Sequence, residues 1–177
     1  MLETLDLDFG ASKMPSRIDS WEVNAKPRSL SSLDGPVGTT LRRYRRIAKF
    51  ELLKFDAMTK RFIWAMDAGG EVKIAVEELA GMPDGSASVG HPRRRNYPIH
   101  PAQERKLGHP CLVDGAKARI AGEFFLDESE KGKLVWYVNV KSGRYCRDRR
   151  PTKKHQENVL RHFRNMIEVE IQFDSFD

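Results

Sequence analysis

The C-terminal third of the chain constrains the fold most, because two strand patterns and one helix pattern follow each other directly. Every second residue from Leu134 to Val140 is apolar, which is typical of a strand with one buried face. Residues 152–166 then repeat apolar side chains, Phe163 among them, at helical spacing. Residues 167–173 alternate strictly between apolar and polar and predict a final strand. A sheet covered by a helix is therefore expected here.

The rest of the chain adds a second hairpin and a second helix. Residues 117–140 predict a hairpin across a polar tip, and residues 61–76 predict another across a glycine turn. Residues 39–56 carry an amphipathic helix pattern, whereas residues 80–106 hold four prolines and predict a long irregular connection. The fold class is therefore α+β: an antiparallel sheet from two hairpins and a C-terminal strand, packed with two helices. We expect one core containing Trp136.

Domain organisation follows from length and local composition. A chain of 177 residues fits one ordinary domain. Residues 1–38 are rich in turn formers and lack a sustained period, which predicts a poorly packed N-terminal arm that wraps the domain or stays mobile. Residues 39–177 are expected to form the single α+β domain.

Composition excludes several classes of protein. No window approaches about 18 uninterrupted apolar residues, so no membrane-spanning helix and no membrane partner are expected. The acidic start lacks the pattern of a secretory signal, which predicts a cytoplasmic protein in the producing cell, exported, if at all, without a cleaved signal peptide. Cys111 and Cys146 do not form a Cys-x-x-Cys pair, and the histidines lack helical zinc spacing, so we expect no metal.

The net charge of +6 is concentrated in three internal clusters. The first cluster comprises Arg42, Arg43, Arg45, Arg46 and Lys49; the second comprises Arg93, Arg94 and Arg95; the third comprises Arg144, Arg147, Arg149, Arg150, Lys153 and Lys154. Each cluster is either a solvated surface or, if two converge, part of a positive field that attracts phosphates or an acidic protein. Nucleic acid is less favoured, because the aromatic residues lie at core spacing rather than at stacking positions.

The segment 140–145 is the strongest candidate for a functional site. A strand ends there, Ser142 and Gly143 form a tight turn, and Arg144 and Tyr145 follow. A hydroxyl, a guanidinium and a phenol at one sheet edge suit an anion or a sugar phosphate. Glu168 and Glu170 resemble the paired glutamates of ADP-ribosylating toxins, although the polar face of an alternating strand is the favoured explanation.

Three sequence blocks in the same order resemble a known family. They are segments 61–74 (RFIWAMDAGGEVKI), 106–124 (KLGHPCLVDGAKARIAGEF) and 138–145 (VNVKSGRY). They are similar to blocks of the shared domain in the plant IQ-motif-containing calmodulin-binding family (IQM), which has fungal and bacterial relatives, some in effector or toxin-like contexts. The resemblance covers about residues 50–173.

This chain departs from the family pattern in places. His109 is kept, but Pro110 and Cys111 replace two serines, and Arg144 replaces a histidine. Extra basic residues separate Tyr145 from the following Pro-Thr pair. No IQ motif is present, so the resemblance does not imply calmodulin binding.

The resemblance implies an effector or toxin-like domain with a pocket at a sheet edge. We expect His109, Ser142, Arg144 and Tyr145 to line it, with Gly143 in the same turn and the basic cluster from Arg147 to Lys154 beside it.

The order His109, Tyr145, then Glu157 or Glu170 suggests NAD-dependent ADP-ribosyl transfer or NAD hydrolysis. In that reaction histidine holds the ribose, tyrosine stacks on nicotinamide, and glutamate stabilises the developing positive charge. The alternatives are a non-enzymatic module that binds an acidic partner, such as an immunity or antitoxin protein or a protein target, and a nucleic-acid-binding protein.

Overall fold

The protein is an α+β domain built on a mixed, mostly antiparallel six-stranded sheet. The computed structural model describes residues 2–80, 91–92, 105–148 and 150–175. The second basic cluster, most of the predicted 80–106 connection, and Arg149 lie outside the described residues.

Four helices and eight strands make up the described chain. The helices are α1 (Leu2–Phe9), α2 (Gly35–Ile47), α3 (Glu51–Thr59) and α4 (Lys153–Ile167). The strands are β1 (Ser31–Ser32), β2 (Arg61–Asp67), β3 (Val72–Val76), β4 (Glu78–Leu79), β5 (His91–Pro92), β6 (Ala118–Glu128), β7 (Leu134–Val138) and β8 (Ile171–Phe173). The main sheet has the order β1-β3-β2-β6-β7-β8, and β4 pairs with β5. Short 3₁₀ helices span Ser20–Glu22 and His109–Leu112.

Both predicted hairpins are confirmed. Strands β2 and β3 pair antiparallel, as do β6 and β7, and β2 joins the hairpins by pairing with β6. The single core is also confirmed: Trp136 and Phe163 are both buried, and Phe124 lies against both rings, with centroid distances of 4.4 Å and 5.3 Å. The helix stripe of α4 thus covers the alternating face of the sheet.

Strand β8 runs parallel to β7, and in this respect the prediction of an antiparallel strand is wrong. The reason is the connection between the two strands. Helix α4 returns the chain to the end of the sheet at which β7 begins, so β8 starts there and runs in the same direction as β7. As a result, the carboxyl ends of β7 and β8 lie side by side.

The predicted helix over residues 39–56 is two helices. Helix α2 begins at Gly35, inside the predicted arm, and α3 begins after a break at residues 48–50. Leu41 and Ala48 are buried as the helical spacing predicts, but Leu52 and Phe55 face solvent.

The first 38 residues make more contacts than a poorly packed arm would. Strand β1 extends the sheet beside β3, and Leu33 belongs to the hydrophobic core. Helix α1 packs against α4, and Asp6 pairs with the buried Arg119. These contacts of the arm are largely polar or made by the backbone, and such contacts leave no hydrophobic period in the sequence.

Candidate functional site

An open cleft of about 840 Å³ lies where β7 and β8 end and α4 begins. Phe173, the last residue of β8, pairs with Val138 of β7, so the residues that follow both strands meet at one edge. The polar lining of the cleft consists of Lys141, Ser142, Gly143, Arg147, Arg150, Gln156, Asp174 and Ser175. We call this space the sheet-edge cleft. It contains three of the predicted site residues: Ser142, Gly143 and Arg147.

Ser142 holds the turn that forms one wall of the sheet-edge cleft. Its Oγ accepts weak hydrogen bonds from the backbone N–H groups of Arg144 (3.4 Å) and Tyr145 (3.3 Å). Ser142 is 4% exposed, whereas nothing lies within 4 Å of the position that a Cβ at Gly143 would occupy. The hydroxyl therefore shapes the turn, and Gly143 leaves the wall open.

The cations of the sheet-edge cleft are exposed. Lys141 lies 3.6 Å from the largely buried carboxylate of Asp174, which also accepts a 3.0 Å hydrogen bond from Asn139 Nδ2. None of the described residues forms an ion pair with Arg147 or Arg150. The cleft therefore carries more positive than negative charge, and the N-terminal end of α4 adds the positive pole of its dipole.

Arg144 points away from the cleft and is covered by the N-terminal arm. Its guanidinium lies 2.5 Å from Asp19 Oδ2 and 3.3 Å from Glu22 Oε2, and it donates to the carbonyl of Arg17 at 2.8 Å. Ser16 also donates its backbone N–H to the carbonyl of Arg144 at 2.8 Å. The guanidinium of Arg144, which was predicted to bind substrate, is thus engaged by groups within the chain.

Tyr145 is buried, with 1% of its surface exposed. Its hydroxyl donates a 2.8 Å hydrogen bond to the carbonyl of Ala116. Burial, followed by the nearby Glu22 and Cys111, raises the pKa of the phenol. The ring is therefore not available to stack on a ligand, contrary to the predicted open pocket.

We expect Tyr145→Phe to lower the free energy of unfolding by about 0.5–1.5 kcal/mol, because the hydrogen bond from the buried phenol to the Ala116 carbonyl would be lost. The matched control is Tyr137→Phe, since the Tyr137 hydroxyl makes no hydrogen bond to a described residue. That variant should stay within about 0.5 kcal/mol of wild type. Urea unfolding of both proteins measures the difference, and equal stabilities would contradict the role assigned to the phenol.

His109 lies at the start of the 3₁₀ helix His109–Leu112 and is partly buried. Its Nε2 donates to the carbonyl of Gly122 at 2.9 Å. Burial lowers the pKa of the imidazole despite this hydrogen bond and the charges of Glu123 and Glu77. His109 does not line the sheet-edge cleft.

Glu170 lies at the opposite end of β8 from the sheet-edge cleft. It precedes Ile171, whereas Asp174 follows the strand, and four residues of extended chain span about 13 Å. Glu170 instead lines two other surface clefts, one of them shared with Tyr137 and Asp127. The predicted group of His109, Tyr145 and Glu170 is therefore not assembled around one space.

Lys141 and Asp174 line the cleft but were not predicted as site residues, whereas Arg150 belongs to the basic cluster that was expected beside the pocket. Asp174 lies four residues after Glu170 at the other end of the final strand. The signal for it was the helix between the last two strands, because a parallel pair places the residue after each strand at the same edge. Lys141 and Arg150 flank the turn that was singled out.

Cysteine and metal chemistry find no support in the described residues. Burial raises the pKa of the Cys111 thiol to about 12 and also raises that of Cys146, so both thiols are protonated at neutral pH. No group of three or more potential ligands lies together within the described ranges. No helix in the described part of the chain is long and apolar enough to cross a bilayer.

Comparison with known protein families, curated protein sequences and solved structures finds no match to this chain.

Proposed function

We propose that this chain is an effector or toxin-like domain that binds a phosphate-bearing ligand in the sheet-edge cleft. The observation that carries the proposal is that Lys141, Arg147 and Arg150 line one open cleft at the carboxyl ends of two parallel strands. The effector class rests on the three sequence blocks that resemble the IQM family and its relatives.

Size and charge both favour a phosphate-bearing ligand. The volume of about 840 Å³ falls within the range of about 300–1,000 Å³ that is usual for small-molecule sites. Arginine guanidinium groups bind phosphate oxygens through paired, charge-assisted hydrogen bonds. The single buried carboxylate, Asp174, is partly compensated by Lys141 and Asn139.

NAD is the ligand to test first, because its pyrophosphate suits the cations of the cleft. The residues predicted to catalyse the reaction do not line the same cleft, since Tyr145 is buried and Glu170 lies at the other end of β8. Binding of a dinucleotide is therefore proposed here, and NAD-dependent transfer or hydrolysis stays a prediction from the order of the residues.

A second candidate function is binding of an acidic protein partner, such as an immunity or antitoxin protein. The observation in its favour is that Arg147, Arg150 and Lys153 are all exposed, so the positive surface continues from the cleft onto α4. A folded partner would contact the whole surface, whereas a dinucleotide would contact only the cleft.

Isothermal titration with NAD, ADP and pyrophosphate tests the first proposal. We expect Arg147→Gln combined with Arg150→Gln to weaken binding by about tenfold or more, since each lost charged hydrogen bond costs about 1.5–3 kcal/mol. The charge-matched control is Arg43→Gln with Arg46→Gln on α2, which lies outside the cleft. Equal weakening in both double variants, or no binding of any of the three ligands, would refute a specific site.

Titration of labelled RNA and DNA at two salt concentrations separates nucleic-acid binding from this proposal. Affinity that disappears near physiological salt would reflect the overall positive charge, because released counterions supply nearly all of non-specific binding.

A further inference from the structure

The corner between α2 and α3 exposes a group of large apolar side chains, which we call the apolar corner. The most exposed are Phe50 (68%), Leu52 (90%) and Phe55 (80%), and Ile47 (51%) and Leu53 (42%) adjoin them. Single exposed apolar residues are ordinary, but a contiguous group marks an interaction surface. The core does not need these side chains, since Leu41, Ala48 and Ala57 supply the buried positions of the same two helices.

Positive charge surrounds the apolar corner. Arg43, Arg46 and Lys49 are exposed just before it, and none of them forms an ion pair within the described residues. The corner also holds two acids, and each has a lysine partner: Glu51 lies 3.5 Å from Lys54, and Asp56 pairs with Lys60. The uncompensated charge beside the corner is therefore positive.

A second cleft, of about 470 Å³, opens directly beside the apolar corner. Its charged lining consists of Arg45, Lys49, Lys54, Lys133, Glu51, Glu128 and Glu170. Lys54 is engaged by Glu51 and Glu128, and Arg45 donates to the carbonyl of Leu134 at 2.8 Å. Lys49 and Lys133 have no ion pair to a described residue, and neither has Glu170. The four cations and three carboxylates of the lining leave one positive charge in excess, which favours contact with an anion next to the apolar side chains.

We propose that the apolar corner docks on the surface of an anionic phospholipid bilayer. Phe50, Leu52 and Phe55 enter the boundary between headgroups and acyl chains, while Lys49 and Lys133 contact headgroup phosphates. Protruding apolar side chains combined with basic residues are the features that bind a protein to a membrane surface without a spanning helix. The expectation of no membrane partner rested on the lack of an apolar window long enough for a spanning helix, and that criterion does not apply to surface docking.

A bilayer suits the shape of the corner better than a protein interface does. Leu52 is 90% exposed, so its side chain protrudes from the surface and has few neighbouring atoms. Stable protein interfaces need about 800 Å² of complementary surface on each partner. A few apolar residues at a tip can enter a fluid boundary without such a surface.

Vesicle sedimentation tests this proposal on the full chain. Wild type should sediment with phosphatidylcholine vesicles that contain about one third phosphatidylserine and stay in solution with phosphatidylcholine alone. Phe50→Ser, Leu52→Ser and Phe55→Ser in one protein should lower the bound fraction by about tenfold or more. The control replaces three exposed apolar residues of the arm by serine: Leu7 (68%), Met14 (55%) and Val23 (59%). It should bind as wild type does.

Three results would overturn the proposal. The first is no sedimentation with the anionic vesicles, and the second is equal binding by the corner variant and wild type. The third is a dimer in sedimentation velocity without vesicles that the corner variant converts to a monomer, because the corner would then pair with a second copy. The Arg147→Gln, Arg150→Gln variant should bind vesicles normally, so failure here is distinct from failure of the sheet-edge cleft.

Discussion

Substituting Gly122 by alanine is expected to lower the free energy of unfolding by about 3 kcal/mol, because the new methyl group would overlap backbone atoms. An ideal Cβ at this position would lie 2.0 Å from the carbonyl oxygen of Asn139 and 2.8 Å from Cα of Val140. Backbone atoms cannot move aside as the end of a flexible side chain can. Strand β6 would have to separate from the chain that leaves β7, close to the turn of the sheet-edge cleft.

Gly143→Ala is the matched control, since nothing lies within 4 Å of a Cβ there. Thermal unfolding of the two variants should show a loss of about 10 °C for Gly122→Ala and little change for Gly143→Ala. A Gly122→Ala protein with the same melting temperature as wild type would mean that β6 is not packed this closely against Asn139 and Val140, the residues that follow β7. The same contact explains why a glycine follows Ala121 in this strand.

The hairpins and α4 were predictable because their burial follows a simple period. Trp136 and Phe163 lie on alternating and helical stripes, and one shared core buries both. The helix over 39–56 was predicted less well. Leu52 and Phe55 fit the same helical period as Leu41, yet they are exposed, because the chain turns between α2 and α3 without a glycine or proline to signal the break.

The direction of β8 decided how much of the site could be predicted. Alternation in residues 167–173 predicted a strand, of which only Ile171–Phe173 forms because α4 continues to Ile167 and is capped by Glu168. Alternation also does not report the direction of a strand. The helix between β7 and β8 indicates that the two strands run parallel. It therefore also indicates that the Ser142 turn and Asp174 lie at the same edge of the sheet. Without the direction, Glu170 at the wrong end of the strand was as good a candidate as Asp174.

Specific polar contacts of the arm leave no pattern in a sequence. Glu22 is buried, with its carboxylate accepting backbone N–H groups from Asp19 at 2.7 Å and Gly108 at 3.0 Å. No spacing rule relates Glu22 to Gly108, which is 86 positions away, or to the still more distant Arg144, so Glu22 and Arg144 could not be paired in advance. Arg144 was therefore assigned to a ligand rather than to the arm.

Arg144→Ala is expected to lower the free energy of unfolding by about 3 kcal/mol, because it would leave the buried Glu22 without its cation. The same change removes the contacts of the guanidinium with Asp19 and the carbonyl of Arg17. Segment 16–22 should then detach from the Ser142 turn. Arg147→Ala is the control, since Arg147 is exposed and should change stability by less than about 0.5 kcal/mol.

Urea unfolding and limited trypsin digestion together separate loss of the pair from general instability. In Arg144→Ala, cleavage after Lys13 and Arg17 should become faster than cleavage within the sheet, because the arm opens first. A double-mutant cycle with Glu22→Gln should show that the two changes together cost less than the sum of each alone, since neither charge is then left unpaired. Additive losses, or uniform cleavage across the chain, would show that Arg144 and Glu22 do not act as a pair that holds the arm over the turn.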